Sequence, residues 1–340
     1  MAGKNLLIAA AFVVLAACSE NPNSPNQTIV DPNDSGGGNP TPAPPIPVGG
    51  NPISGASFWV DPSSSARQQA DAWRTSRPAD AAQMDKIARG SQAQWFGGWS
   101  GDVVAAVNSA VTTAANAGAV PVLVAYNIPQ RDCGGLSAGG TTVNGYKTWI
   151  AAFANGLAGR KAVVILEPDA LTQMDCLSTA DQTTRFDLIQ YAIAVLKAQA
   201  NVFVYLDGGH SAWLSANDQA GRLTRANVAA ADGFALNVSN FQLTSNSIAY
   251  GKAVSNLIGG KHFVIDTSRN GLGPTADNEW CNPAGRALGP SSSTVTGDAR
   301  VDAYLWIKTP GESDGSCNGA PAAGAWWADY ALGLAQRSTL

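Results

Sequence analysis

Two acidic residues directly follow a short apolar run in the middle of the chain. Residues 163–166 are Val-Val-Ile-Leu, and the next three are Glu167, Pro168 and Asp169. Branched aliphatic residues favour a strand that is buried on both faces, and Pro168 cannot donate a hydrogen bond to a sheet, so the strand must end there. In parallel α/β folds the catalytic groups lie at this end of the strands. Asp169 is therefore a candidate general acid.

Several other acidic residues follow apolar runs in the same way. They are Asp132, Asp207, Asp266, Glu312 and Asp314. Single acids are mostly solvated or paired with arginine, so the argument depends on several of them meeting at one edge of a sheet. Hydrolysis of a glycosidic bond needs a protonated acid and a second group that activates water or attacks the sugar, without metal or cofactor. The pattern predicts a polysaccharide hydrolase that uses no cofactor.

The acids are embedded in a repeated pattern of apolar strand, polar strand end, loop and amphipathic helix. The predicted strands are residues 57–60, 94–96, 121–126, 163–166, 202–206, 234–236, 262–265 and 304–307. The predicted helices are residues 66–89, interrupted near Pro78, 102–117, 146–157, 186–196 and 326–334. This alternation predicts an α/β fold with a parallel sheet, and polar strand ends favour a barrel with one working face. An open doubly wound sheet is the alternative, but no G-x-G-x-x-G motif opens a helix after the first strand.

The N-terminal part of the chain does not follow this pattern. An apolar run at residues 6–17 is too short to span a membrane comfortably. It ends Leu-Ala-Ala-Cys, which predicts a lipoprotein-type signal peptide at 1–18 with Cys18 lipidated; an ordinary secretory signal is the alternative. Residues 19–52 are rich in Pro, Asn, Ser and Gly and predict a disordered linker. Residues 53–340 would then form one catalytic domain.

Charge and targeting restrict the partners that we expect. The 340-residue chain has a formal net charge of −4 and no basic stripe, so nucleic acid is not an expected partner. The signal predicts an extracellular or cell-surface location. Membrane contact is expected only through the lipid on Cys18, and the protein is expected to be a monomer.

The cysteines fit an exported protein. If Cys18 carries lipid, four remain, namely Cys133, Cys176, Cys281 and Cys317. An even number in an oxidising compartment indicates two disulfides, and the sequence alone allows three pairings. A zinc site is disfavoured because the chain has no C-x-x-C motif and only two histidines.

Four stretches carry recognisable motifs. Residues 126–133 are Tyr-Asn-Ile-Pro-Gln-Arg-Asp-Cys, and residues 166–171 contain Glu-Pro-Asp. Residues 205–210 are Tyr-Leu-Asp-Gly-Gly-His, followed by Trp213, and residues 308–315 are Lys-Thr-Pro-Gly-Glu-Ser-Asp-Gly. The first, second and fourth stretches resemble the Tyr-x-x-Pro-x-Arg-Asp-Cys, Glu-Pro-Asp and Lys-x-x-Gly-Glu-x-Asp-Gly motifs of glycoside hydrolase family six, the inverting cellulases. Residues 205–210 with Trp213 add a further match to this family.

The resemblance implies a fold and a set of site residues. The fold would be a distorted parallel (β/α) barrel with fewer than eight closed strands. Asp169 would be the general acid, and Asp132 would keep it protonated and help to order water. Asp314 matches the candidate base, with a water chain through the acid's partner as the alternative. The other candidate residues would contact or support the sugar: Tyr126, Trp95, Asp207, His210, Trp213, Asn237, Trp280, Lys308 and Glu312.

The tryptophans and cysteines receive separate roles from the same resemblance. Trp95 and Trp280 match positions that stack on glucose rings, for which a flat indole is suited. Trp306 lies within a predicted strand and is expected in the core. The matched cysteines imply the disulfides Cys133–Cys176 and Cys281–Cys317, which would hold two catalytic loops to the scaffold.

An acid that works near neutral pH needs a raised pKa. The like charge of Asp132 and partial burial would both raise the pKa of Asp169. Arg131 is adjacent to Asp132, but neighbouring side chains on an extended segment point apart. Arg131 therefore need not cancel the charge of Asp132.

The length of the last matched loops predicts the mode of action. Processive members of the family have long insertions there, whereas the segment 281–317 is short. The sequence predicts an open cleft, endo-acting hydrolysis of β-1,4-glucan or cello-oligosaccharides, and weak binding to crystalline cellulose because no cellulose-binding module is recognised. The alternatives are a non-catalytic glucan-binding surface lipoprotein, a cellobiohydrolase, and a hydrolase of another β-glycan such as mixed-linkage glucan or xylan.

Overall fold

The computed structural model of the protein describes residues 50–340. The predicted signal peptide, the predicted lipidation site Cys18 and all but the last three residues of the predicted linker lie outside the described residues. The side chain of Asn51 donates to the backbone carbonyl of Asp302 at 2.8 Å. Contacts with the folded domain therefore extend two residues into the segment that we predicted as linker.

Seven parallel strands form one sheet, and their order in the sheet is their order in the chain. They are β1 (Gln94–Phe96), β2 (Val122–Ala125), β3 (Ala162–Leu166), β4 (Val202–Asp207), β5 (Gly233–Leu236), β6 (His262–Asp266) and β7 (Val301–Leu305). In the described part of the chain β1 and β7 share no ladder, and a single bridge joins Gln92 to Trp306. The sheet is thus an open half-barrel, which confirms the predicted α/β distorted barrel with fewer than eight closed strands.

Helices surround the sheet and connect its strands. Those of the described region are α1 (Ser65–Trp73), α2 (Pro78–Ala88), α3 (Val103–Asn116), α4 (Val143–Leu157), α5 (Thr179–Lys197), α6 (Ala216–Arg225), α7 (Thr244–Leu257) and α8 (Ala328–Gln336). Pro78 occupies the first turn of α2, where its missing N–H costs nothing, so the predicted interruption falls between α1 and α2. Within residues 50–340 there is no helix with the length and apolar character needed to cross a membrane.

The strands are buried on both faces, and alternate residues enter two different cores. In β3, Val164 and Leu166 belong to the large cluster that packs against helices. Val163 and Ile165 belong to a second cluster, formed largely by the strands, inside the half-barrel. This two-sided burial explains why the strand is a continuous run of apolar residues, and it places the polar residues at the strand ends.

Two predicted strands differ from the structure. The segment 57–60 forms only one bridge, from Phe58 to Val120, because β1 occupies the neighbouring edge of β2 from Leu123 onward. The last strand begins at Val301, three residues earlier than predicted.

The polar residue Asp302 concealed the start of this last strand. The Asp302 carboxylate is buried, accepts a hydrogen bond from Tyr205 Oη at 2.7 Å and lies 2.6 Å from His262 Nδ1. A search for apolar runs cannot recognise a strand residue that is buried through such polar partners. Trp306, just beyond β7, is buried in the core as expected.

Candidate active site

Asp169 lies in the turn after β3, at the edge where the carboxyl ends of all seven strands meet. Asp169 and Glu167 have φ angles of +67° and +50°, a conformation that residues with side chains adopt only when their surroundings enforce it. The buried Glu167 carboxylate accepts hydrogen bonds from the backbone N–H groups of Asn127 and Ile128 at 3.0 and 3.1 Å. Glu167 therefore fixes the turn to the loop after β2, while Asp169 remains partly exposed.

The electrostatic surroundings of Asp169 favour its protonated form. Burial raises the pKa of Asp169 well above its ordinary value, and the charges of Asp207, Asp132 and Asp314 raise it further. The structure thus brings together acids from the loops after β2, β3 and β7 and from the end of β4. Among residues 50–340, no group of three or more His, Cys, Asp or Glu side chains could hold a metal ion.

Asp207 is the buried partner of Asp169. Its Oδ2 atom accepts hydrogen bonds from the backbone N–H groups of Asp169 and Gly209 at 3.1 and 3.2 Å, and its buried Oδ1 atom has no hydrogen-bond partner. Burial raises the pKa of Asp207 to about 7. Ionising both of two neighbouring carboxyl groups in a buried site is unfavourable because the charges repel each other, so the Asp169–Asp207 pair can retain a proton near neutral pH.

Asp132 belongs to a hydrogen-bonded chain with Ser137 and Tyr126. Its Oδ2 atom accepts hydrogen bonds from the backbone N–H and the hydroxyl of Ser137 at 2.7 and 3.0 Å. Because the Ser137 hydroxyl donates to Asp132, the Tyr126 hydroxyl, 2.9 Å away, donates to Ser137. Burial raises the pKa of Tyr126, which keeps the phenol protonated for this donation. The Asp132 Oδ1 atom forms no hydrogen bond with the described residues and is available to a ligand.

Arg131 folds the loop that carries Ser137. Its guanidinium donates to the carbonyl oxygens of Tyr126, Ser137 and Ala138 at 2.8, 2.9 and 3.1 Å. Within residues 50–340 it forms no ion pair with Asp132. The two side chains do not pair, but the reason differs from the one predicted, because Asp132 lies in a short 3₁₀ turn with φ of +54° and not on an extended segment.

Two disulfides connect the loops at this edge. Cys133–Cys176 joins the loop after β2 to the segment that follows Asp169, and Cys281–Cys317 joins the segment after β6 to the loop after β7. This is the pairing that the family resemblance implied. The first bridge begins at the residue after Asp132, so it restrains the position of that carboxylate relative to Asp169.

We predict that the double substitution Cys133→Ala/Cys176→Ala lowers stability and, separately, turnover. Loss of a bridge that closes a loop of 43 residues should cost about 2–5 kcal/mol of unfolding free energy. Turnover should fall even well below the lower melting temperature, because Asp132 is no longer held against Asp169. Thermal unfolding measures the loss of stability. The loss of turnover is measured as kcat of both proteins at a temperature about 20–30 °C below the Tm of the double variant, where both are folded. An unchanged kcat would mean that the bridge only stabilises the domain.

Asp314 is held by two cations. Its Oδ2 atom accepts hydrogen bonds from Arg269 Nη1 at 2.8 Å and from the backbone N–H of Asn282 at 3.0 Å, and its Oδ1 atom lies 3.6 Å from Lys308 Nζ. Burial alone would raise the pKa of Asp314, but the charges of Arg269 and Lys308 outweigh it and hold the pKa below its ordinary value. Asp314 is therefore an ionised carboxylate with little tendency to take up a proton.

Three other candidate residues differ in their surroundings. Lys308 Nζ donates to the carbonyl oxygen of Ser313 at 3.0 Å, and burial raises the pKa of Glu312. Asn237 is fully buried, and its amide nitrogen donates to the carbonyl oxygen of Asp266 at 2.8 Å while its amide oxygen accepts from the backbone of Gln242. Asn237 thus orders the loop after β5, and its contact with the sugar stays a prediction.

Aromatic side chains at this edge differ in how much surface they offer. Trp213 and Trp280 are 40% and 50% exposed. Trp95 is half-buried, packs edge-on against Tyr126 with ring centres 5.2 Å apart, and donates from Nε1 to the carbonyl oxygen of Ile307. His210 contacts Trp213, and burial lowers the pKa of His210 to about 4, so the imidazole is neutral at physiological pH.

Three residues of this site were not singled out from the sequence. Ser137 and Arg269 have no distinctive spacing in the chain and become recognisable only through their bonds to Asp132 and Asp314. Trp99 is 58% exposed, with its ring 5.1 Å from the Arg131 guanidinium. Gly97 and Gly98 follow the predicted strand at residues 94–96 and precede Trp99. This pair of glycines was a signal that Trp99 lies on a turn at the same edge of the sheet.

Known proteins resemble this chain in sequence and in fold. The model for "Glycosyl hydrolases family 6" matches residues 53–338. Endoglucanase A of Cellulomonas fimi is 45% identical over 290 residues, which cover 84% of this chain and 62% of that protein. Endoglucanase 1 of Streptomyces halstedii is 44% identical over 271 residues, 76% of this chain and 82% of that protein. The chain therefore spans less than two thirds of the first of these relatives.

A solved structure gives the same result for the fold. The endoglucanase Cel6 of Mycobacterium tuberculosis, determined in complex with methyl-cellobiosyl-4-deoxy-4-thio-β-D-cellobioside, superimposes with a TM-score of 0.81 at 47% sequence identity. The match covers 84% of this chain and 99% of that structure. With the family model matching nearly all of the described residues, the chain belongs to glycosyl hydrolases family 6.

Proposed function

We propose that the protein is an endo-acting, inverting β-1,4-glucanase that hydrolyses cellulose-type glucans by general acid catalysis. The observation that carries the proposal is the position of Asp169, a partly exposed carboxyl whose pKa is raised by burial and by three neighbouring acids. A protonated carboxyl of this kind is what cleavage of a glycosidic bond requires. The names of the relatives described above support glucan as the substrate.

In the proposed reaction Asp169 donates its proton to the glycosidic oxygen as the bond to C1 breaks. A water molecule attacks C1 from the opposite face and inverts its configuration. Asp132 and Ser137 are suited to hold this water, because Asp132 Oδ1 is free while Oδ2 is occupied by Ser137. The proton released by the water passes to the Asp132 carboxylate, which returns it to solvent, and solvent restores the proton on Asp169.

In this proposal Asp314 does not act as the base that accepts the proton from water. Its carboxylate is bound to Arg269 and Lys308, which lower its proton affinity. We propose that Asp314 orients Lys308 and stabilises positive charge that develops on the sugar ring. Tyr126, Lys308 and Glu312 are proposed to contact the ring at the point of cleavage.

Endo action is supported by the exposed aromatic surfaces. Trp99, Trp213 and Trp280 are open to solvent, and an indole that is accessible from the side can receive an internal segment of a long glucan chain. The segment between Cys281 and Cys317 spans only 36 positions, which leaves little chain to roof the cleft. Both observations favour an open groove over a tunnel.

The experiment that tests the proposed function is analysis of the first products by proton NMR, combined with viscometry. We expect α-anomers to appear before mutarotation, and the viscosity of carboxymethylcellulose to fall well before reducing ends accumulate. Initial β-anomers would contradict inversion. Release of cellobiose with little loss of viscosity would contradict endo action, and no hydrolysis of any β-glucan would contradict the assignment as an enzyme.

We also propose that the mature protein is exported, attached to a membrane by lipid on Cys18 and separated from it by the linker at residues 19–52. The support is the sequence pattern alone, since these residues lie outside the described region. Labelling with a radioactive fatty acid should mark the wild type and leave Cys18→Ala unlabelled. Labelling of both would contradict the assignment of Cys18.

A further inference from the structure

A second cavity lies against helix α8, and none of the proposed catalytic acids lines it. Its volume is about 670 Å³, which is within the range of roughly 300–1,000 Å³ that is usual for small-molecule sites. The segment 275–285 forms one wall, and Asn318 and α8 form the other. The proposed function gives this cavity no role.

The walls of this α8 cavity are fixed to each other. The disulfide Cys281–Cys317 connects the two walls directly. The Asn318 side chain donates to the carbonyl oxygen of Cys281 at 2.8 Å, and the Tyr330 hydroxyl donates to the carbonyl oxygen of Pro283 at 3.3 Å. A ligand would therefore find a preformed surface and would lose little affinity to ordering of the protein.

The side chains that face the cavity combine an aromatic ring with charged groups that form no ion pair within the described residues. The ring of Trp327 stacks on Tyr330 with centres 5.2 Å apart and planes inclined by 16°, so Tyr330 supports one side of the half-buried indole. Asp329 and Arg337 line the same cavity, yet neither forms an ion pair with any residue in the range 50–340. The Arg337 Nε atom donates to the carbonyl oxygen of Arg286 at 2.7 Å, which fixes the guanidinium, and its two terminal nitrogens and the Asp329 carboxylate can bind a ligand.

We propose that the α8 cavity is a second binding site for β-glucan, separate from the catalytic groove. The three carboxylates of Asp277, Glu279 and Asp329 outnumber the Arg337 guanidinium and repel an anionic ligand, and the mixture of hydrogen-bond acceptors and donors suits a molecule with many hydroxyls. Carboxylate, amide and guanidinium groups can bind such hydroxyls, and the Trp327 ring can stack on the apolar face of a pyranose. The proposal rests on the glucanase function proposed above, which supplies the polymer.

A second site on the same rigid domain has a defined consequence. Once a long glucan occupies one site, the other binds at high effective concentration, so affinity for polymer rises without any change in the catalytic groove. A short oligosaccharide occupies one site at a time and receives no such gain. The α8 cavity should therefore affect polymer binding and leave hydrolysis of cellotetraose unchanged.

The test compares the wild type with Trp327→Ala, Trp327→Phe and the control Leu257→Ala, whose side chain is 53% exposed at the end of α7. Depletion binding to amorphous cellulose and kcat/KM on cellotetraose are measured for each. We expect Trp327→Ala to weaken cellulose binding about tenfold. This is less than the roughly hundredfold or greater increase in affinity that two linked sites can give when the polymer spans both of them without strain. Trp327→Phe, which retains a ring, should lose less, and Leu257→Ala should match the wild type. All four proteins should hydrolyse cellotetraose equally.

Cellulose binding by Trp327→Ala that equals the wild type would overturn the second site. If Trp327→Ala melts at a lower temperature and loses cellotetraose hydrolysis, Asp329→Ala decides, because it leaves the indole in place. Weaker cellulose binding by Asp329→Ala supports the site, and unchanged binding overturns it. A wild type that binds cellulose through Trp327 but cleaves no glucan would refute the proposed function and leave the second site standing.

Discussion

Replacing Asp169 by alanine should lower kcat on cello-oligosaccharides by about 10²–10⁴-fold, the range for loss of a positioned general acid. The loss should be much smaller on 2,4-dinitrophenyl β-cellobioside, because dinitrophenolate leaves without a proton. This difference between substrates follows from the role of Asp169, whose pKa is raised by burial and by Asp207, Asp132 and Asp314. Steady-state kinetics on both substrates measure it.

The matched control is Asp175→Ala. Asp175 lies in the same segment, but its side chain is 95% exposed and makes only a long contact of 3.8 Å with Arg222. It should retain nearly full activity on both substrates. An equal loss on both substrates in Asp169→Ala would contradict the role of Asp169 as proton donor and point to a damaged site.

Replacing Asp132 by asparagine should lower turnover about 10²-fold and move the alkaline limb of the pH–rate profile to lower pH. The charge of Asp132 raises the pKa of Asp169, so its removal lowers that pKa. Activity requires protonated Asp169 and is lost as the pH rises through its pKa. A lower pKa therefore means that activity is lost at lower pH, and the profile of kcat/KM on a soluble oligosaccharide measures this shift.

Ser137→Ala distinguishes charge from hydrogen bonding at the same place. The substitution removes the hydroxyl that connects Tyr126 to Asp132 and leaves the carboxylate in place. We expect lower turnover with a smaller shift of the alkaline limb than in Asp132→Asn. If the alkaline limb of Asp132→Asn stays where it is in the wild type, Asp132 does not control the protonation of Asp169.

Much of the fold could be predicted because local chemistry and tertiary structure agree. The strand at residues 163–166 is apolar since both of its faces are buried, and Pro168 ends it for a local reason. Helix α3 begins after Asp102, whose side chain accepts from the backbone N–H of Ala105 at 3.1 Å. Asp302 in β7 is buried through its polar partners Tyr205 and His262, so the pattern of apolar residues placed the start of this strand too late.

The candidate site was predictable only in part. Acids at strand ends can be read from the sequence because parallel strands bring those ends to one edge. The partners that give each acid its character come from distant segments. Arg269 is fully buried, which composition would never suggest for an arginine, and it alters Asp314 across 45 positions of sequence. Asn237 stands at a strand end, and within the described part of the chain its amide is bonded to backbone groups that the sequence could not identify.

The most direct test of a protonated Asp169 is a ¹³C NMR titration of protein labelled at the aspartate carboxyl carbons. Comparison of the wild type with Asp169→Asn identifies the resonance of Asp169. We predict that this resonance titrates far above the value of about 3.9 for an ordinary aspartate. A midpoint near that ordinary value in the wild type would contradict the account, because Asp169 would then be ionised at the pH where the enzyme is proposed to work.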